Sequence, residues 1–347
     1  MAWYCLQCVC VRIDIIITFF LQKIKGIACF FELTKGGKWS IIESATNRMK
    51  RIGGLQMEMR LARREDIPAL SLLWQECFGD GRAYIDFFYR ERFDSICVPI
   101  LTDDAGKTVA MVHMLPCTLD NGESDTYGKT GHGTNAYYLY AVGASRAWRG
   151  KGAMRTLLTT IINECERKSV ALALSPANER LISYYESYGF RMTGGYYHGF
   201  FDRSELEGTA DLTWQACDAT EYFSLRAAAM AGLAAPHMLF PIEGVTYALR
   251  ENAYFGGCAL CSSAGDGALV QQEGAHLVVR ELFLRGEDFS ALRAGLGALL
   301  DRFDAKSCEV RTNLAFSPKL QRVNALMTSV PMDFHGQSFA YANLLLD

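Results

Sequence analysis

No stretch of the 347-residue sequence is long and apolar enough for a membrane-spanning helix. The apolar run Ile15-Ile-Ile-Thr-Phe-Phe-Leu21 is bounded by Arg12/Asp14 and Lys23/Lys25. It falls short of the roughly 20 residues that a span requires. The run is also a poor secretory signal, because Asp14 precedes it and no clear small-residue cleavage site follows. Neither sign of charge dominates, with 35 Lys or Arg against 38 Asp or Glu. A net charge of −3 gives no reason to expect nucleic acid or an anionic membrane as partner. Cysteine is not scarce, with twelve residues, but a disulfide framework is: Cys97, Cys117, Cys165 and Cys308 fall inside expected strands and helices. That usage in a long chain reads as reduced and cytoplasmic. Two Cys-x-x-Cys pairs, Cys5/Cys8 and Cys258/Cys261, lack a nearby histidine or second pair, so they read as buried thiols and no metal is expected.

Residues 1–56 stand apart, with eight Lys or Arg against three Asp or Glu. We expect the natural start at Met57 or Met59, with Gly53-Gly54 encoded by a ribosome-binding sequence; the rival reading is a membrane-associating extension. The length favours two domains with sizeable cores. Half of the residues are hydrophobic and 21% are charged, as in ordinary globular chains.

The informative stretch runs from Tyr138 to Phe190. Tyr138-Leu-Tyr-Ala-Val142 alternates like a half-buried strand. Met154, Leu157, Leu158, Ile161, Ile162 and Cys165 then recur at helical spacing. Between them lies Arg149-Gly-Lys-Gly-Ala-Met-Arg155. A strand that enters a helix through glycines and cations suits phosphate. The backbone can come close, first-turn N–H groups lack intrahelical partners, and the dipole favours an anion. The third glycine of a dinucleotide fingerprint is missing, since position 155 is Arg, and so is the Gly-Lys-Ser/Thr of a P-loop.

The turn resembles instead the acetyl-CoA signature of the GNAT superfamily of N-acetyltransferases, Arg/Gln-x-x-Gly-x-Gly/Ala. Met154 stands where that signature has a small residue. A second block supports the resemblance. After an expected strand, Ser169–Leu174, the segment Asn178-x6-Tyr185-Glu-Ser-Tyr-Gly-Phe190 is similar to the superfamily's Asn…Tyr-Glu-Lys-x-Gly-Phe. Met154 followed by Arg155 is similar to the subgroup related to the enhanced intracellular survival (Eis-like) acetyltransferases. Those carry a second, degenerate GNAT-like half and, beyond it, a lipid-carrier-like domain for which this sequence has no room.

The resemblance implies an α/β (α+β) fold of tandem GNAT units, each a mixed, mostly antiparallel sheet flanked by helices. We expect an extension over 1–56, an acetyl-CoA-binding unit over 57–204 and a degenerate unit over 205–347. In the first unit, Met59-Arg-Leu-Ala reads as a strand. Asp66 reads as the N-cap of a helix that buries Ile67, Leu70, Trp74 and Cys77, and a second helix carries Tyr84 to Tyr89. Strands follow at 98–102 and 108–115, then a glycine-rich loop holding His132, then a closing strand over 194–201. In the second unit, helices are expected at 220–231, 289–303 and 318–327, with strands at 256–261, 268–272, 276–283, 308–312 and 338–346. Its turn Leu284-Arg-Gly-Glu-Asp288 has no Gly-x-Gly and places acids where phosphate would sit.

The function implied is transfer of the acetyl group of acetyl-CoA, as co-substrate, to a primary amine of a small molecule or of a peptide lysine, by direct attack in a ternary complex. By resemblance, Val142, Gly143 and Ala144 pair with the pantetheine arm. Arg149, Gly150, Lys151, Gly152, Ala153, Met154 and Arg155 hold the pyrophosphate, with Asn178 close by. Tyr185 protonates the leaving thiolate, for which a phenol is well matched. For the base, His113, Glu76, Tyr138 and Tyr140 are candidates, His113 foremost. Tyr84, Phe87, Phe88 and Tyr89, with Asp86 and Glu91, are candidates to line an acceptor pocket. Readings of other classes stay open: a non-catalytic acyl-CoA sensor, or a scaffold tethered through residues 1–50.

Overall fold

The computed structural model describes residues 48–52, 55–122, 133–206, 212–233, 235–286, 288–313, 315, 317–329 and 339–344. The expectations for the N-terminal extension and for His132 lie outside these residues. In the first half, β1 (Arg48–Ile52), β2 (Leu55–Leu61), β3 (Pro99–Thr102), β4 (Thr108–Asp120) and β5 (Thr134–Ala144) pair antiparallel in sequence order, and β6 (Ala171–Leu174) adds parallel to β5.

Between β2 and β3 the chain forms α1 (Ile67–Phe78) and α2 (Arg82–Arg92). Leu70, Leu73 and Trp74 of α1 are buried, and the helix stops at Gly79, whose φ of 82° few side chains tolerate. Asp66 does not cap α1 with its side chain. Its carboxylate takes both arms of the Arg60 guanidinium at 2.7 Å and the Arg63 N–H, because a bidentate charged pair outcompetes a cap. Helix α3 (Ala153–Arg167) buries the expected stripe of Leu157, Leu158, Ile161, Ile162 and Cys165. Helix α4 (Glu179–Glu186) leads through Gly189 into β7 (Arg191–Asp202).

The second half comprises β8 (Trp214–Ala216), α5 (Ala219–Ala231), β9 (His237–Leu239), α6 (Ile242–Tyr254), β10 (Cys258–Ser262), β11 (Gly267–Glu273) and β12 (His276–Phe283). It continues with α7 (Phe289–Arg302), β13 (Ser307–Thr312), β14 (Gln321–Thr328) and β15 (Ala340–Tyr341). The described strands join in one 15-stranded mixed sheet, and β14, late in the chain, lies between β6 and β7 of the first half. β7 is shared: Arg191 to His198 pair with β14, and Tyr197 to Asp202 pair with β13. Two glycines permit the close approach of β15 and β14 to β7. A Cβ on Gly194 would fall 1.9 Å from the Ala340 carbonyl oxygen, and one on Gly195 would fall 1.9 Å from that of Val323.

Two further elements differ from the sequence reading. Residues 318–327, read as a helix from Pro318 and helically spaced apolar residues, are largely the strand β14. Its ladders with β6 and β7 override local propensity. Helix α6 was absent from the pattern because its inner face carries Glu251 and Asn252 beside Val245, Tyr247 and Ala248. One core packs α3 against the first half's sheet, a second packs α1, α2, α5 and α6 on the sheet's other face, and a third surrounds α7.

Candidate active site

Strand β5 parts from β6 at a single fork. Its parallel ladder with β6 ends at Leu139–Leu174, whereas its antiparallel ladder with β4 continues to Ala144. From Tyr140 to Ala144 one edge of β5 is therefore free of β6. The register with β4 slips between Met111 and His113, and Ala141 in the bulge takes a φ of 45°, a conformation costly for a residue with a side chain. Gly143 is needed beside it, since a Cβ there would meet the Cys77 sulfur at 2.9 Å. The fork thus lies against the end of α1.

The chain passes from this fork into the glycine turn. Gly150 and Gly152 adopt φ of 73° and 90°, and Gly152 is the N-cap of α3. Thr156 N–H bonds Gly152 O at 2.9 Å, so the amides of the first turn ahead of it have no helical acceptor. Arg146, Arg149, Lys151 and Arg155 are exposed around the turn. Among the described residues none of these four pairs with a carboxylate, although Arg149 Nε donates to Ala144 O at 3.3 Å and Lys151 lies over the Trp148 ring. The free amides, the helix dipole and four cations share one place. Ala153 is buried beneath the turn and Met154 half-buried.

Tyr185, on α4, is 6% exposed and packs edge-on against Tyr184 and Phe190. Burial, with Tyr188 nearby, pushes its phenol up to about 12, so the hydroxyl stays protonated at neutral pH. Asn178 is the N-cap of α4, yet its side chain is exposed and makes no cap hydrogen bond. His113 is wholly buried among Trp74, Phe88 and Tyr89, its Nε2 2.9 Å from the Tyr89 hydroxyl. Burial pushes its imidazole down to about 4, so it is neutral. Glu76 accepts from the Arg146 N–H, and Tyr138 is buried against Phe240. The structure thus gathers residues 142–155 at the fork, and places His113 behind Tyr89, inside the core.

Glu251, the partner of a cluster that holds two of the candidate tyrosines, escaped the sequence. Glu251 on α6, 5% exposed, accepts from the Tyr84 hydroxyl at 2.7 Å and from the Tyr247 hydroxyl at 3.0 Å. Tyr84 in turn lies 3.3 Å, oxygen to oxygen, from Tyr140, the first residue of the free edge of β5. No local pattern signals this, since Tyr84 and Glu251 come from different halves.

The second half has the same parallel pair, β12 with β13, but it does not fork: after a bulge between Val279 and Leu282 the pairing resumes at Leu282–Thr312, one residue before β12 ends. The side chain of Asp288 caps α7 by accepting from Ala291 N–H at 2.8 Å, so the helix start is already occupied by an anion of the chain itself. Among the described residues no three His, Cys, Asp or Glu side chains gather as for a metal, and no helix is long and apolar enough to cross a membrane.

Residues 65–190 match the acetyltransferase (GNAT) family, and the chain carries a GNAT acetyltransferase domain in them, an enzyme fold built for acyl transfer from an acyl-coenzyme A. The structure is similar to a GCN5-related N-acetyltransferase from Anabaena variabilis (13% identity, 78% of this chain and 72% of that one, TM-score 0.64). It is similar also to one from Kribbella flavida (14% identity, 80% and 72%, TM-score 0.62). Eis1 from Mycobacterium abscessus is a third similar structure (11% identity, 79% and 73%, TM-score 0.59). At these identities the likeness is one of fold. No protein of curated function matches the sequence.

Proposed function

We propose that this GNAT domain moves the acetyl group of acetyl-CoA to a primary amine of a small molecule or of a lysine side chain, by direct attack in a ternary complex. The observation that carries the reading is the meeting, within residues 140–155, of the free edge of β5 and the glycine turn that opens α3. In this reading the amides of Gly150 to Arg155 bind the pyrophosphate, aided by Arg149, Lys151 and Arg155. The Val142–Ala144 edge pairs with the pantetheine amides, and Asn178 borders the same cleft.

The amine nitrogen attacks the thioester carbon, the N–C bond forms, and the C–S bond then breaks. Tyr185 gives its proton to the departing sulfur, for which a phenol that resists ionisation is suited. His113, neutral and enclosed, acts as a positioning residue that holds Tyr89 and the end of α2. Residues 57–204 are the unit that works on the cofactor. Residues 205–347 are the unit that binds none, because β12 and β13 do not separate and Asp288 holds the start of α7. We assign the chain to the cytoplasm, free of stable membrane insertion and of nucleic acid.

Calorimetric titration with acetyl-CoA tests this. Micromolar binding abolished by Gly152→Glu, with thiol release to an amine panel lost in Tyr185→Phe at unchanged acetyl-CoA affinity, is the expected result. Thiol release that survives in Tyr185→Phe sinks the role of that tyrosine. A folded protein that ignores acetyl-CoA sinks the whole reading.

A further inference from the structure

We propose that Glu251, supplied by the half that binds no cofactor, takes up the proton of the acceptor amine through the hydroxyls of Tyr140 and Tyr84. The inference rests on the acetyl-transfer reading and assigns the base that reading leaves unnamed.

The hydrogen bonds run in one direction. Tyr84 spends its proton on Glu251 Oε1 at 2.7 Å, so in the 3.3 Å contact between the two phenols Tyr140 is the donor and Tyr84 accepts. The Tyr140 oxygen is left to accept from a group in the fork, and Tyr140 is half-buried there. An ammonium in the fork loses N–H to the Tyr140 oxygen, the proton of Tyr140 moves to Tyr84, and that of Tyr84 moves to Glu251. Both phenols end neutral, the carboxylate ends as a carboxylic acid, and the amine is free to attack. Burial, with the charge of Glu251, drives the phenol of Tyr84 well above its ordinary range, and burial does the same for Tyr140, so neither holds the charge itself.

Glu251 also lines a small cavity of about 20 Å³ with Arg280, Arg311 and Asn343. The other groups facing it are Tyr247 of its own helix and Tyr84 of α2, and Asp80 acts on Tyr140. The surroundings indicate the body of the acceptor. Trp74 sits 5.5 Å from Tyr140, Phe255 sits 5.9 Å from Tyr84, and Tyr254 stacks on Phe87 at 4.8 Å. Tyr254 and Phe255 are 44% and 54% exposed, an aromatic rim that suits an amine on an apolar or aromatic body.

The test compares two acceptors of similar shape: phenethylamine, a strong base that arrives protonated, and phenylhydrazine, a weak base that arrives neutral. Glu251→Gln keeps an oxygen for the two tyrosines but takes no proton. It is expected to lose about 10²-fold in kcat/KM on phenethylamine, the usual size of a general-base contribution, and under about 3-fold on phenylhydrazine. Tyr84→Phe, which interrupts the relay and leaves Glu251 in place, is expected to show the same split. On phenethylamine both variants should regain activity as pH rises toward the pKa of the amine. Equal losses on the two acceptors, with acetyl-CoA affinity intact, overturn the relay and leave acetyl transfer standing. A wild type that binds acetyl-CoA yet acetylates neither acceptor overturns both.

Discussion

Gly150→Ala separates backbone strain from cofactor binding, and Gly106 supplies its control. Both glycines have a left-handed φ, 73° and 77°, and a Cβ added to either meets no atom within 4 Å. In both the folded-state cost is the strain of a left-handed L-residue, about 1–2 kcal/mol, offset by about 0.4–1 kcal/mol of lost unfolded-state freedom. Each alanine variant should therefore lose about 1 kcal/mol, or about 2 °C in Tm. Their effects on acetyl-CoA should differ. On the proposed reading the pyrophosphate takes the empty space beside Gly150, and a methyl group there displaces it from the turn's amides. Loss of one charge-assisted hydrogen bond is worth about 1.5–3 kcal/mol, so affinity should fall about 10- to 100-fold. Gly106 lies in the β3–β4 turn, where its N–H bonds Asp103 O, and Gly106→Ala should bind acetyl-CoA like the parent. Differential scanning fluorimetry and calorimetry read the two quantities. Equal Tm losses with unchanged affinity in both variants would refute the phosphate turn.

The buried groups give two further predictions. His113, held near 4 against an ordinary 6.5, takes up a proton in the unfolded chain that the native state refuses. Stability should therefore decline as pH falls from about 6.5 to 4, by up to about 3 kcal/mol, and urea denaturation of His113→Gln should show a flatter dependence. Glu281, fully buried, is bound by Arg226 and by the hydroxyls of Tyr222 and Tyr341. Glu281→Gln should cost about 3–5 kcal/mol by stranding the guanidinium, and joint replacement of Arg226 by Met should recover most of that; a double variant no better than the single would contradict it.

What could be read from the sequence was what neighbours in the chain decide together. The turn at 149–155 and the stripe of α3 need only residues close in sequence, and Gly189 ends the α4 region as local rules require. Position 66 misled because its carboxylate found Arg60, six residues back across a turn, in place of the helix start. The strand β14 was hidden because its partners β6 and β7 lie more than a hundred residues earlier and impose extension on a segment with helical spacing. Helix α6 was hidden for a related reason. Its inward Glu251 is tolerable only because Tyr84 and Tyr247 satisfy it, and Tyr84 belongs to the other half. The turn and the helix that the proposed cofactor site uses were therefore legible, and the contact of Tyr84 with Glu251, made between the two halves, was not.

Hydrogen exchange followed by mass spectrometry, with and without saturating acetyl-CoA, tests the central claim most directly, because one experiment reads both halves. Bound cofactor should slow exchange at the free edge of β5 and the amides of 149–155, and leave the start of α7 at 288–294 unchanged. Protection at α7, or binding with no protection in 140–155, would contradict the account.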